Sequence, residues 1–250
     1  MLDVHPAHHA ASTWRDFFVH IATIVLGLLI AVGLEQTVEA IHHSHQRHQL
    51  QEDLHAESVR VHTVLQGNLR LFAAERIWLL ALRKDVDTMR ASNGRIKLPY
   101  RLRPTSDPND PTQPLPRLTW PPDGVWQAAK ASALVSLLPR WQAEIYSGVF
   151  RQQDLYGAVT NAWIAEQTNL IAFETRFDDA GPSSTPDLAR MTPEQLDQYS
   201  AMLTRNLALR DTIVNRSKIF DAADLAILDG ATSRDDVAKR IDQQKVNLER

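Results

Sequence analysis

The histidines of this chain are concentrated near its start. The sequence contains ten, all before residue 63, and five of them lie in IHHSHQRHQLQEDLH, residues 41–55. If this stretch is helical, His48, Glu52 and His55 share one face, because side chains three and four residues apart are neighbours on a helix. Imidazole and carboxylate groups so placed are potential zinc or copper ligands. The stretch is therefore a candidate metal site, and His42 and His45 could contribute to a second one.

Two other interpretations of these histidines stay open. A closed zinc site needs four ligands, yet the chain has no HExxH motif and no histidine after His62 to complete one. Histidine is also amphipathic enough to suit a polar face near a membrane–water boundary. In addition, an unperturbed imidazole titrates near pH 6.5, which would allow the stretch to sense protons.

The element that must position these side chains is a long helix. Apolar residues at helical spacing predict a helix from Glu35 to about Ala91. Its core face consists of Leu50, Leu54, Val61, Leu65, Phe72, Leu79 and Val86. With Leu54 and Val61 at the centre of that face, a second stripe lies roughly 150° away at 100° per residue. That stripe contains His45, His48, His55 and His62, which we expect to be exposed.

The segment before this helix is apolar enough to cross a membrane. Residues 17–34 carry no charge, and His20 is their only strongly polar side chain. Eighteen helical residues span about 27 Å, close to the hydrocarbon thickness of a bilayer. The alternatives are a buried core helix and a cleaved signal peptide. The length of the segment and the helical pattern that continues past it favour an uncleaved anchor. Small residues repeat every four positions, as Thr23, Gly27 and Ala31, and would let a second helix approach closely.

Charges around the anchor predict its orientation. Arg15 flanks one end, whereas Glu35, Glu39 and the more distant Arg47 flank the other. The excess of positive charge on the cytoplasmic side of membrane helices places the N-terminus in the cytoplasm. We therefore expect a single-pass protein of the bacterial inner membrane whose C-terminal part lies in the periplasm.

The rest of the chain is also predicted to be helical. Residues 95–122 contain eight of the 13 prolines and form a linker. A short helix is expected over 123–138, and a long one after Pro139. The apolar residues of the long one, Ile145, Val149, Tyr156, Val159, Trp163, Leu170 and Phe177, mostly step by three, four or seven, as in a coiled-coil seam. TPEQ starts the next helix with Thr192 as N-cap, and Ser233 with Asp236 caps the last.

These elements define an all-α fold with a membrane helix that continues into a stalk. The domains are a tail (1–16), the anchor (17–34), a His-rich stalk (35–55) and an antiparallel helical bundle (56–250). The first soluble helix would be about 85 Å long and its partners about 55 Å, so about 20 residues stay unmatched. If the bundle is distal from the membrane, the stalk is that unmatched part. Another subunit or the last helix should then cover Leu50 and Leu54.

Composition and motifs argue against several classes of function. The net charge of −3 provides no basic surface for nucleic acid. There is no cysteine, so disulfides, a thiolate nucleophile and cysteine-based zinc sites are excluded. The sequence has no Walker loop, GxGxxG, GxSxG or EF-hand loop. We therefore expect no enzymatic activity and, apart from the zinc or copper considered above, no cofactor.

One stretch resembles a family of uncharacterised bacterial single-pass membrane proteins. It is WRDFFVHIATIVLGLLIAVGLEQTVEAIHHSHQRHQ, residues 14–49, with a Trp-Arg opening, an apolar segment, LEQ-VE and a His-rich end. VWQAAKASALVSLLP, followed by Tyr146, is similar to a downstream motif of that group. The resemblance implies a membrane anchor and an extracytoplasmic helical domain, and it implies no activity.

Three functional hypotheses follow. The first is a non-enzymatic, membrane-anchored helical protein that binds a partner or supports a membrane complex, with the bilayer and a second copy or another membrane protein as partners. The second is an extracytoplasmic helical bundle that senses a ligand or pH and acts through a partner. The third is metal binding by the His-rich stalk.

Overall fold

A computed structural model describes residues 14–92, 96, 98, 101, 103–106, 112, 114–177 and 185–249, with only the backbone of 248 and 249. Within those ranges the fold is all-α, as predicted, and no strand forms. The chain divides into two compact units, Met1–Leu50 and Gln51–Arg250. Residues 1–13 of the predicted tail lie outside the described ranges.

The first helix, α1, extends over Trp14–Ala91. It includes both the predicted anchor and the predicted stalk. Every residue from 14 to 45 is exposed. From Leu50 onward apolar side chains become buried, and all seven residues of the predicted core face are among them. The 100° repeat of the sequence therefore locates the buried face of α1 correctly.

Four more α-helices follow in the part of the chain that the structure describes, and they confirm the predicted order. They are α2 (Gly124–Ala131), α3 (Arg140–Glu174), α4 (Pro193–Leu228) and α5 (Arg234–Glu249). The predicted single helix over 123–138 is wrong, because α2 ends at Ala131 and a separate 3₁₀ turn covers Leu134–Leu137. Between them Ala133 adopts a left-handed conformation with φ of 59°, which no α-helix continues through.

Side-chain caps fix where α4 and α5 begin. The Thr192 hydroxyl accepts from the Gln195 N–H at 3.3 Å, and the Gln195 side chain accepts from the Thr192 N–H at 2.9 Å. This is the predicted capping box. Before α5, the Asp236 carboxylate accepts from the N–H and the hydroxyl of Ser233 at 3.0 and 2.8 Å. Gly230 has φ of 83° and ends α4 at the position that favours glycine.

The core of the second unit consists of two apolar clusters. One is built around Phe173, Tyr199 and Leu203, and the other around Phe72, Tyr156 and Phe220. Residues from α1, α3 and α4 contribute to both, and Val237 of α5 contributes to the second. The predicted seam of α3 is confirmed for its buried members, although Val159 is only partly buried and Phe177 lies beyond the end of α3.

Buried polar residues bind α1 to α3 and α4 within this core. The Arg210 guanidinium is 1% exposed and pairs with Glu75. It also lies over the rings of Phe72 and Trp163, 5.8 and 5.1 Å from their centroids. The Trp163 indole N–H donates to Asn206 at 3.2 Å. A desolvated guanidinium needs such partners, because an uncompensated charge is costly in a low-dielectric interior.

The described part of the Pro-rich linker packs along the bundle. The Asn68 side chain accepts from the Thr119 N–H at 3.2 Å and donates to the Thr119 carbonyl at 2.7 Å. Pro121 is buried, and the Trp120 ring meets Tyr156 edge-on at 6.4 Å. These contacts explain how a segment without regular structure is held in place.

The expectation that Leu50 and Leu54 could need another subunit to cover them is wrong. Both side chains are buried in the single chain, at 5% and 1% exposure. Near Leu54, the Gln51 amide donates to Gln142 at the start of α3, 2.6 Å away. The last helix lies beside α1 at a later position, where Val237 shares a cluster with Val61.

We predict that Glu75→Gln lowers the free energy of unfolding by about 3 kcal/mol, because it leaves the Arg210 charge buried without a counterion. Asp211→Asn is the matched control, since it breaks the ion pair with Arg76, in which both side chains are about half-exposed. Its cost should stay below about 1 kcal/mol. Urea unfolding of the full chain in detergent, followed by circular dichroism, measures both. Equal losses would contradict the role assigned to the buried pair.

Candidate functional site

The histidine stretch is largely exposed, as predicted. His42, His45, His48 and His55 are all exposed on α1. Among the residues that the structure describes, no group of three or more His, Asp or Glu side chains is placed to hold a metal ion. Glu52 is exposed as well. Metal binding by His48, Glu52 and His55, or by His42 and His45, stays a prediction that would need further ligands.

The exposed position predicted for His62 is wrong. Its side chain is 35% exposed, and Nδ1 lies 2.6 Å from the Asp221 carboxylate of α4. His62 directly follows Val61, so it is only about 100° from the centre of the core face and not opposite to it. This places the imidazole at the edge of the α1–α4 interface, where it meets a carboxylate.

His62 belongs to a set of polar side chains that we call the buried acid cluster: Glu57, Ser58 and His62 of α1 with Asp221 and Asp224 of α4. All except His62 are buried. Asp221 is bound through both of its oxygens, since the Gln66 amide donates to the second at 2.9 Å. The cluster therefore joins α1 to α4 through hydrogen bonds rather than apolar contact.

Asp224 is the least satisfied member of the buried acid cluster. It is 1% exposed, and its Oδ2 has no hydrogen-bond partner within the described ranges. Burial raises the pKa of its carboxyl group to about 7, and the nearby carboxylates of Asp221 and Glu57 act in the same direction. The hydrogen bond with Ser58 and the charge of His62 oppose that pKa shift. A proton on Asp224 is therefore gained and lost near neutral pH.

Glu57 connects the cluster to α2. Its two carboxylate oxygens accept from the backbone N–H groups of Val125 and Trp126, at 2.9 and 3.2 Å. These are the second and third residues of α2, whose N–H groups have no partner inside the helix. Asp123 stands at the N-cap position but makes no capping hydrogen bond. A residue of another helix thus caps α2.

Aromatic side chains enclose the same region. Trp126 stacks on Phe150 of α3 with centroids 5.1 Å apart and lies 6.3 Å from Tyr146. Burial raises the pKa of Tyr146 to about 12, with a further contribution from the charge of Asp224. The phenol therefore stays neutral over the range in which Asp224 titrates.

A cleft lies beside Asp221, which is one of its lining residues. Its volume is about 460 Å³, and Gln66, Lys218, Arg240 and Gln243 are among the residues that line it. The cleft lies between α1, α4 and α5. It provides water with access to one edge of Asp221, which is 7% exposed.

The exposed apolar segment of α1 is the other functional feature. Trp14, Phe17 and Phe18 pack against one another at its start, with centroids 4.8 to 5.9 Å apart. Polar side chains within the segment bind the helix's own carbonyls, since Thr23 donates to Val19 at 2.8 Å and His20 Nδ1 lies 3.1 Å from the Asp16 oxygen. This helix is long and apolar enough to cross a membrane.

Thr23, Gly27 and Ala31, predicted to pack against a second helix, are all exposed in the single chain. A Cβ atom added at Gly27 would meet nothing within 4 Å. The association of two such helices stays a prediction.

Sequence reasoning missed the buried acid cluster, although the residue pattern contained a signal. Asp224 is about 40° from Phe220 around α4, and Glu57 is about 40° from Val61 around α1. Both carboxylates therefore fall on core faces, where charged side chains are rare unless paired. What the sequence does not show is that the two faces meet.

Comparisons with protein-family models, with curated proteins and with solved structures each found no match. They neither support nor contradict the resemblance of residues 14–49. The function is therefore inferred from the chain's own residues.

We predict that Asp224→Asn flattens the pH dependence of stability. The pKa of the buried carboxyl group is raised from 3.8 to about 7, so its stabilising effect is full below pH 4 and is lost as the pH rises through 7. Three pKa units correspond to a loss of about 4 kcal/mol. The variant should lack this loss, whereas Asp154→Asn, at an exposed position of α3, should follow the wild type. Urea unfolding between pH 4 and 8 measures the pH dependence of the free energy of unfolding. Identical profiles for the wild type and Asp224→Asn would contradict the raised pKa of Asp224.

Proposed function

We propose that the protein is a membrane-anchored, non-enzymatic helical protein that presents its bundle to a partner or supports a membrane complex. One observation carries this proposal: an 18-residue window of α1 has a mean hydropathy of 2.5 and none of it is buried. The core helix of a soluble protein with this composition would be covered by other helices. Lipid is the cover that suits an apolar surface on all sides of a helix.

Details of the segment support insertion into a bilayer. A hydroxyl group in a hydrocarbon environment needs a partner, and Thr23 donates to the Val19 carbonyl one turn earlier. The group of Trp14, Phe17 and Phe18 suits the membrane–water interface, where aromatic residues are enriched. Trp14 is 72% exposed in the single chain.

The proposal extends to orientation and partners. Arg15 precedes the apolar segment, and Glu35 and Glu39 follow it, so we place the N-terminus in the bacterial cytoplasm and the Gln51–Arg250 unit in the periplasm. The partner would be a second copy or another membrane protein. The small-residue face of Thr23, Gly27 and Ala31 would contact it within the bilayer.

A second candidate function is pH sensing by the bundle, acting through a partner. The buried acid cluster favours it, because Asp224 has a pKa of about 7 and lies among other charged groups at a junction of helices. Within the described residues the Oδ2 atom of Asp224 is buried without a hydrogen-bond partner, and a proton-binding role would explain that oxygen.

We predict opposite labelling of the two ends of the chain. The sequence contains no cysteine, so single cysteines can be introduced without background. In spheroplasts of a Gram-negative host, an impermeant maleimide should modify Asp154→Cys but should modify Ser12→Cys only after lysis. The cysteine-free parent is the control. The reverse pattern would invert the topology, and equal labelling of both positions in unlysed spheroplasts would refute a spanning anchor.

A further inference from the structure

We propose that the buried acid cluster is a pH-operated latch on α2: a protonated Asp224 keeps α2 seated on the bundle, and ionisation of Asp224 releases it. The proposal rests on the pH-sensing candidate and identifies the element that would respond. It starts from the way α2 is attached. The helix has only eight residues, and helices this short have little stability of their own in water.

Two attachments hold the start of α2. The first is the Glu57 carboxylate, which accepts from the N–H groups of Val125 and Trp126. The second is the Trp126 side chain, which is stacked on Phe150. Asp123 does not replace Glu57, because its carboxylate accepts from the Gln127 side chain at 2.8 Å and makes no capping hydrogen bond.

Asp224 is placed to disturb the first attachment. When it ionises, a second carboxylate charge arises near Glu57 in a buried position, where screening by water is weak. The Ser58 hydroxyl is its hydrogen-bond partner. The charge of His62 offsets part of the new charge, but the cost of burial is larger and the pKa of Asp224 stays raised. His62 and Gln66 are both bound to Asp221.

Groups from each neighbouring helix affect the ionisation of Asp224 or line the region around it. Glu57 and His62 face Asp224 from α1, Asp221 adjoins it on α4, and Tyr146 approaches from α3. From α2 come the two backbone N–H groups that Glu57 binds. Lys218 of α4 and Arg240 of α5 line the cleft beside Asp221.

Release of α2 is the direct way to hydrate the new charge. Trp126 of α2 lies 6.3 Å from Tyr146, whose pKa is raised in part by the charge of Asp224. In the proposed release, water reaches the Asp224 carboxylate when the start of α2 lifts from Glu57, and the cost of burying that carboxylate is removed. The long helices α1, α3 and α4 share two extensive apolar clusters and would stay packed. The structure thus assigns the response to pH to one short element.

Hydrogen exchange of the full chain in detergent at pH 5 and pH 8 tests the latch. After correction for intrinsic exchange rates, protection of the Val125 and Trp126 amides should fall by about tenfold or more at pH 8. Protection of the amides over 196–210 in α4 is the internal reference and should not fall comparably. Asp224→Asn should retain the pH 5 protection of α2 at pH 8, and Glu57→Gln should show low protection at both values.

If either variant folds poorly, the comparison of wild-type protection at pH 5 and pH 8 tests the latch by itself. Unchanged protection of α2, together with a pH-dependent free energy of unfolding, would overturn the latch and leave the sensing candidate standing. If neither the protection of α2 nor the free energy of unfolding depends on pH in the way described, both the latch and the pH-sensing candidate are wrong. Equal loosening of α2 and α4 would also overturn the latch, because the response would not be confined to α2.

Discussion

A mismatch in helix length governs this structure. Helix α1 has 78 residues, whereas α3 and α4 have 35 and 36, so they can cover less than half of it. The uncovered part includes residues 17–34, the most apolar stretch of the chain. In water this exposed surface would be unfavourable by about 25 cal/mol for each Å². The proposed bilayer location follows from that cost, because lipid covers a lone apolar helix without further protein.

Where α1 does pack, polar side chains determine how it meets α4. The pairs of Arg210 with Glu75 and His62 with Asp221 cross this interface within or beside apolar clusters. Sliding one helix along the other would leave these groups buried without partners, which costs more than a lost apolar contact. The buried acid cluster lies at this interface as well. There Asp224 is close to the charges of Asp221, His62 and Glu57. The constraint on packing and the proposed pH-sensing site thus involve the same interface.

The sequence predicted the parts of the fold that depend on local repeats. The core face of α1 from Leu50 to Val86 follows from a spacing of 100° per residue, and the start of α4 follows from the chemistry of Thr192 and Gln195. The sequence did not predict the features that depend on contacts between distant segments. The break at Ala133 has no local signal such as glycine or proline at that position. Glu57 and Asp224 are far apart in sequence, so their proximity depends on the packing of α1 against α4. The prediction for His62 was wrong because it treated four histidines as one stripe, although His62 lies closer to the core face than the others.

The proposed membrane anchor requires the apolar part of α1 to lie in lipid. Power-saturation EPR of single spin labels in liposome-reconstituted full-length protein measures this directly, because oxygen concentrates in the hydrocarbon and a nickel chelate stays in water. Labels at Ile24 and Leu28 should be relaxed mainly by oxygen, and a label at His45 mainly by nickel. Efficient relaxation by nickel at all three positions would show that the segment is in water and would contradict the membrane anchor.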